Sequence, residues 1–127
     1  MNPRYLVDTD VIVDFLKGVG QAVEFVERNA HQMALSVIVL SELYAGARNE
    51  GDLAMLDEFL GLFPVHPVTT EIGRRGGLLK KEYSKTHGMG LADALVAATA
   101  EQEGMEIKTL NTRHYPMVRA LKPAYRK

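Results

Sequence analysis

Apolar residues along this chain fall into short blocks that alternate between continuous runs and helical spacing. Tyr5-Leu6-Val7 is an unbroken apolar run ended by Asp8, which predicts a buried strand. Val11 to Lys17 reads as a short helix, with Asp10 placed to cap it and Gly18 to stop it. Gln21 to Asn29 sets Ala22, Val23, Phe25 and Val26 among charges, the pattern of an amphipathic helix. Met33 to Ser36 predicts a second strand, and Val39 to Arg48 a helix with Leu40, Leu43, Tyr44 and Ala47 on one face. Asn49-Glu50-Gly51 is expected to turn the chain into a further helix over Asp52 to Leu60.

Phe63 to Val68 can form no more than an edge strand, because Pro64 and Pro67 lack amide donors. Thr70 to Lys85 predicts one long helix despite Gly73, Gly76 and Gly77, each of which weakens helical propensity. After the loop His87-Gly88-Met89-Gly90 comes a helix from Leu91 to Glu103, stopped by Gly104, and then a strand over Glu106 to Leu110. Strands alternating with helices predict an α/β fold. Its expected form is a three-layer sandwich over residues 1–127, with a parallel sheet of four or five short strands between helices. In such sheets, ligands bind beyond the carboxyl ends of the strands.

Composition narrows the class. A chain of 127 residues fits one hydrophobic core, and its 46% hydrophobic content is too high for a disordered chain. The absence of cysteine rules out disulfides and thiolate metal sites. Met33 to Leu40 is too short to span a membrane, Leu91 to Ala100 is interrupted by Asp93, and Asp8 precedes any signal-like apolar stretch. The expectation is a soluble cytoplasmic protein with no membrane partner. A net charge of −1 argues against a protein that merely coats nucleic acid, but the distribution is uneven. Residues 1–66 carry 4 Lys/Arg against 10 Asp/Glu, and residues 67–127 carry 11 against 6. Six bases and no acid lie from Lys108 onward, a tail able to attract phosphates.

Four polar residues stand where the predicted sheet would place a site. Asp8 follows the first strand, and Asn111 follows the last at the same sheet edge. Asp93 lies in the first turn of an otherwise apolar helix, where the dipole and free amides favour an anion. Glu42 is one or two turns into the helix after the second strand. Taken singly, each has an ordinary role as turn former, helix acid, surface residue or left-handed loop residue. Their convergence at one edge points instead to a shared cation, because clustered carboxylates must take up protons or a metal. Oxygen donors favour Mg²⁺ or Mn²⁺ over zinc. His31, His66, His87 and His114 have no zinc-ligand spacing, and His114, nearest the site, is expected to face solvent.

The segments Val7-Asp8-Thr9-Asp10, Leu40-Ser41-Glu42-Leu43, Leu91-Ala92-Asp93-Ala94 and Thr109-Leu110-Asn111 resemble, in order, the motifs of PIN-domain nucleases. The length and basic tail are similar to those of the VapC toxins of type II toxin–antitoxin pairs. The resemblance implies endonucleolytic cleavage of RNA, such as a tRNA or rRNA. It also implies a VapB-type antitoxin as partner, and a homodimer. By the same resemblance Asp8 and Asp93 would ligate the metal most directly, with Glu42 binding metal or its water and serving as general base. Thr9 and Thr109 would orient the acids, and Asp10 would hydrogen-bond behind them or cap the helix. The departure is Asn111, where many relatives carry Asp. An amide there removes one negative charge, so one tightly held ion is expected.

The apolar residues Leu43, Tyr44, Leu53, Leu56 and Phe59 are divided by the resemblance between core and a surface for the antitoxin or a second copy; periodicity alone does not divide them. Arg74, Arg75, Lys80, Lys81 and Lys85 lie on one predicted helix, as a solvated face or a track for RNA. Two other classes compete. One is a PIN-like binding module that has lost catalysis through Asn111. The other is a phosphorylatable receiver domain, disfavoured because Asp52 and Asp57 lie in helical sequence and Lys108 lies within a strand rather than after it.

Overall fold

The computed structural model describes residues 3–127. Four strands, β1 (Tyr5–Val7), β2 (Met33–Ser36), β3 (Val65–His66) and β4 (Glu106–Lys108), form an all-parallel sheet in the order β3-β2-β1-β4. Among the described residues, six α-helices flank it: α1 (Thr9–Leu16), α2 (Gly20–Asn29), α3 (Val37–Ala45), α4 (Glu50–Leu60), α5 (Thr70–His87) and α6 (Leu91–Glu103), with short 3-10 turns at Ala30–Gln32 and Thr112–His114. This is the expected α/β architecture, with four strands. Leu6, Val7, Ala34 and Leu35 are fully buried, as strands covered on both faces require.

The strand order positions the site. The chain leaves β1 toward β2 and β3 on one side, and returns to pair β4 on the other side of β1. The carboxyl ends of β1 and β4 thus lie side by side at a topological switch point, the place where α/β sheets open a crevice. The Asp8 amide extends the pairing by donating to the Lys108 carbonyl at 2.9 Å.

Several boundaries differ from the expectation, each for a local reason. α1 is capped by Asp8 rather than Asp10: Asp8 has extended backbone and accepts from the Thr9 amide, so the helix begins at Thr9 and Asp10 falls inside its first turn. α3 begins at Val37 because the Ser36 hydroxyl accepts from the Ile38 amide at 3.0 Å. Asn49 caps α4 through the Asp52 amide at 2.8 Å, which turns the expected loop residues Glu50 and Gly51 into the start of the helix. β3 shrinks to two residues between Pro64 and Pro67. β4 ends at Lys108 because the backbone from Leu110 to Asn111 bends to bond Asp10.

Within α5 the glycines have different roles. A Cβ at Gly76 would lie 2.6 Å from Leu95 Cδ2 and 3.3 Å from Leu95 Cα, so the missing side chain lets α5 and α6 approach closely. Gly73 and Gly77 have open space beside them. The Lys80 ammonium donates to the Met89 carbonyl at 3.3 Å, fixing the loop that launches α6 and with it Asp93. Among the described residues, no helix is long and apolar enough to cross a membrane.

Candidate active site

Asp8, Glu42, Asp93 and Asn111, distant in sequence, line one cleft of about 660 Å³ together with Thr9 and Asp10. Asp8 is buried and its two oxygens are held separately. Oδ1 accepts the Thr9 amide at 2.9 Å, and Oδ2 accepts the Tyr115 hydroxyl at 2.7 Å and the Thr109 hydroxyl at 3.0 Å. Thr109 is itself fully buried, and its hydroxyl also lies 3.2 Å from Asp10 Oδ2, so one proton is shared between two carboxylates.

Asp10 staples the two switch-point loops. Its Oδ2 accepts the amides of Leu110 at 2.9 Å and Asn111 at 3.2 Å, and this places Asn111 at the cleft with its side chain exposed. Its other oxygen, Oδ1, is buried without a hydrogen-bond partner. Burial raises the Asp10 carboxyl above the usual carboxylate range, the neighbouring Asp8 adds to this, and the bonds from Leu110 and Thr109 act in the opposite direction.

Asp93 stands in the first turn of α6 with His114 Nδ1 3.2 Å from its Oδ2. Its carboxyl is also pushed up, by burial first and then by Asp8, with Glu42 adding and His114 opposing. Glu42 lies on the exposed rim, where its Oε1 accepts the Thr9 hydroxyl at 2.7 Å.

Sequence reasoning does not single out Tyr115, and it expects His114 only to face solvent. Tyr115 follows a short 3-10 turn with no periodic signal, yet it is buried against Asp8; burial first, and then the Asp8 charge and hydrogen bond, drive its phenol far above its ordinary value. His114 is solvent-exposed as expected, but it also contacts Asp93, which corrects the expectation of a merely solvated loop residue. The spacing of the four motifs reveals neither contact; the turn Thr112–His114 brings both residues back to the sheet edge.

The donor chemistry suits a hard dication: carboxylate and amide oxygens, an orphaned buried carboxylate oxygen, and two acids whose carboxyls are raised partly by their anionic neighbours. Among the described residues, no three His, Asp or Glu side chains converge as a ready-made cage, so the acids ring the cleft rather than meet at a point.

The expected partner surface divides on inspection. Leu43 and Leu56 are buried in the core, Tyr44 and Phe59 are half-buried, and Leu53 is exposed. Phe59 stacks on Phe15 with centroids 4.9 Å apart, and Tyr44 donates its hydroxyl to Asp57. Leu43 and Leu56 also line a groove bounded by α1, α3 and α4 that includes Leu16, Met55 and Arg48 and reaches Glu42. Of the α5 bases, Arg75 is engaged by Glu101, while Arg74, Lys81 and Lys85 face solvent.

The sequence and the fold have counterparts. The PIN domain family matches residues 5–119. Ribonuclease VapC10 of Mycobacterium tuberculosis is 37% identical over 123 residues, spanning 94% of this chain and 92% of the relative. Ribonuclease VapC19 of the same organism is 38% identical over 124 residues, spanning 94% and 98%. Among solved structures, a toxin–antitoxin complex from Klebsiella pneumoniae contains a chain matching this one with a TM-score of 0.82 at 26% identity, over 95% of this chain and 98% of that one. With its sheet order, its acids at the switch point and these relatives, the chain belongs to the PIN-domain family, on its VapC branch.

Proposed function

We propose that this protein is a metal-dependent endoribonuclease and the toxin of a type II toxin–antitoxin pair. The observation that carries this reading is the convergence of Asp8, Glu42, Asp93 and Asn111 on one cleft at the carboxyl ends of β1 and β4. The names of the relatives, ribonucleases VapC10 and VapC19, support the activity.

Asp8 and Asp93 would hold Mg²⁺ or Mn²⁺, with Glu42 binding it or its water. Such an ion, when bound, polarises a phosphodiester and lowers the pKa of water. The chain's own residues supply the rest. Tyr115 and Thr109 lock the Asp8 oxygens in place, which limits reorganisation when charge develops. Glu42, exposed at the rim and oriented by Thr9, is placed to accept a proton from the attacking water. Asp10 fixes the backbone that presents the Asn111 amide to the cleft. The single hydroxyl proton between Asp8 and Asp10 keeps two adjacent carboxylates from facing each other unshielded.

The protein acts in the cytoplasm on a structured RNA such as a tRNA or rRNA, works as a homodimer, and is held in check by a VapB-type antitoxin. The matching Klebsiella pneumoniae chain, part of a toxin–antitoxin complex, supports that partner. The groove lined by Leu43 and Leu56, with exposed Met55 on its wall, suits an amphipathic helix of the antitoxin, and its continuity with Glu42 would let a following basic side chain reach the acids. The test is cleavage of transfer and ribosomal RNA in Mg²⁺ or Mn²⁺ against the same protein in chelator. Cleavage only with metal is expected; equal cleavage in chelator would refute the reading.

A further inference from the structure

We infer that Lys127, tethered at the rim of the acid cleft by Asp14 and Tyr125, is a positioning residue that binds a backbone phosphate of the RNA beside the scissile bond. The inference rests on the ribonuclease reading and adds to it a residue outside the four motifs.

The starting observation is a buried acid with no part in the site described above. Asp14 lies one helical turn beyond Asp10 on α1, on the same face, and is only 8% exposed. A buried carboxylate needs partners, and both of its partners come from more than a hundred residues away. Its Oδ2 accepts the Tyr125 hydroxyl at 2.8 Å and lies 3.1 Å from the Lys127 ammonium. Two further contacts fasten the same segment. The Ala124 amide donates to the Thr109 carbonyl at 2.9 Å, and the Tyr125 ring packs on Phe25 of α2 with centroids 6.1 Å apart. Thr109 is the residue whose hydroxyl holds Asp8, so the segment is anchored to the framework of the site itself.

Stability alone would account for the tyrosine. The ion pair with Asp14 likewise accounts for the lysine's tether, and what it leaves over is the cleft beside which the lysine is tethered. Lys127 lines the same cleft as Asp8, Asp10, Asp14, Glu42 and Asp93, and among the described residues it is the only Lys or Arg that does so. A phosphodiester approaching five carboxylates meets a repulsive field. A metal at Asp8 and Asp93 would neutralise the reacting phosphate, but its neighbour along the strand would still face Asp14 and Asp10. An ammonium has three donors, of which Asp14 Oδ2 takes one, and the Lys127 side chain is 55% exposed, leaving the others open to a ligand. A point charge on a flexible stem suits phosphate without reading sequence.

The test compares wild type, Lys127→Ala and Lys127→Arg on transfer and ribosomal RNA, with binding measured across a salt series in the Asp93→Asn background. Melting temperature reports folding; Lys127→Ala removes one of the two Asp14 partners, so a modest drop is expected while the Tyr125 hydroxyl still holds the carboxylate, and Lys127→Arg should reverse it. Lys127→Ala should raise KM roughly 5- to 10-fold with little change in kcat, as loss of a single ground-state contact does. The slope of log affinity against log salt should fall by about 0.7, the loss of one phosphate contact on a single strand. Lys127→Arg should restore both. An unchanged KM and slope in Lys127→Ala would overturn the inference while leaving the ribonuclease reading intact, and a lower KM would overturn it by showing that the lysine occludes the cleft. RNA neither bound nor cut by wild type in metal would overturn the ribonuclease reading, and this inference with it.

Discussion

The Tyr115 hydroxyl donates to Asp8 Oδ2 across 2.7 Å, a bond that closes 107 residues of sequence and ties the 3-10 turn after β4 to the end of β1. Tyr115 is 1% exposed, so the bond forms out of water, to a charged acceptor. Tyr115→Phe removes it while keeping the ring. The expected cost is about 1.5–3 kcal/mol, the range for a hydrogen bond to a charged group. Cleavage should weaken but persist, since Thr109 still holds the same oxygen. Denaturant titration beside an RNA assay checks both. An unchanged midpoint would mean that the bond contributes nothing net.

The close approach of α5 and α6 rests on Gly76. Gly76→Ala drives a methyl into the Leu95 side chain and toward its backbone, so destabilisation of about 1–3 kcal/mol is expected. Gly73→Ala, in open space on the same helix, should instead stabilise by roughly 0.5–1 kcal/mol. Urea midpoints of the two variants should move in opposite directions; a shared direction would contradict the packing described.

How well the fold and the site can be read from sequence differs from element to element. Tyr5-Leu6-Val7 declares its strand locally, whereas Asp8 and Asp93 each pass singly as a turn former or a helix N-terminal acid and become legible as a site only through their shared sheet edge. The boundaries of α3 and α4 are also written locally, in the side chains of Ser36 and Asn49, but a cap competes with turn chemistry and the two are told apart only by the backbone that follows. Tyr115, His114 and the pair Asp14–Tyr125 are a different matter. Asp14 lies on a legible helix, but Tyr115, His114 and Tyr125 come from segments with no period, over separations that no local propensity encodes.

A pH dependence follows from Asp93, whose carboxyl is raised chiefly by burial and then by Asp8. The native state therefore binds this proton more tightly than the unfolded chain does. In chelator, the stability linked to this group is present at low pH and is lost as pH rises from the ordinary value of 3.8 through the raised native value. A metal acts with the opposite sign, because it binds the deprotonated acid. The metal-induced rise in melting temperature should be largest near neutral pH and shrink on mild acidification, at a pH above that of an ordinary aspartate. A metal effect that persists undiminished into the ordinary carboxylate range would contradict this.

Asn111 is held by its backbone, through the amide bonds to Asp10 and Thr109, while its side chain is exposed at the cleft. Asn111→Asp restores an anionic ligand without disturbing that anchor. Metal affinity should rise by about tenfold, equivalent to 1.4 kcal/mol, with a modest loss of stability in chelator from added repulsion. Isothermal titration with Mn²⁺ checks the first part. A folded variant with lost cleavage would show that the fourth position works by donating its amide.

The account stands on Asp93 carrying a charge that the fold tolerates poorly and the metal needs. Asp8→Asn tests this less cleanly, since an amide there must set a donor against either the Thr9 amide or the two hydroxyls at Oδ2. Asp93→Asn is the sharper variant, measured for RNA cleavage with metal and for melting temperature in chelator. The prediction is a loss of cleavage of roughly 10²–10³-fold with a melting temperature equal to or above that of wild type. A folded Asp93→Asn protein that cleaves as well as wild type would contradict it.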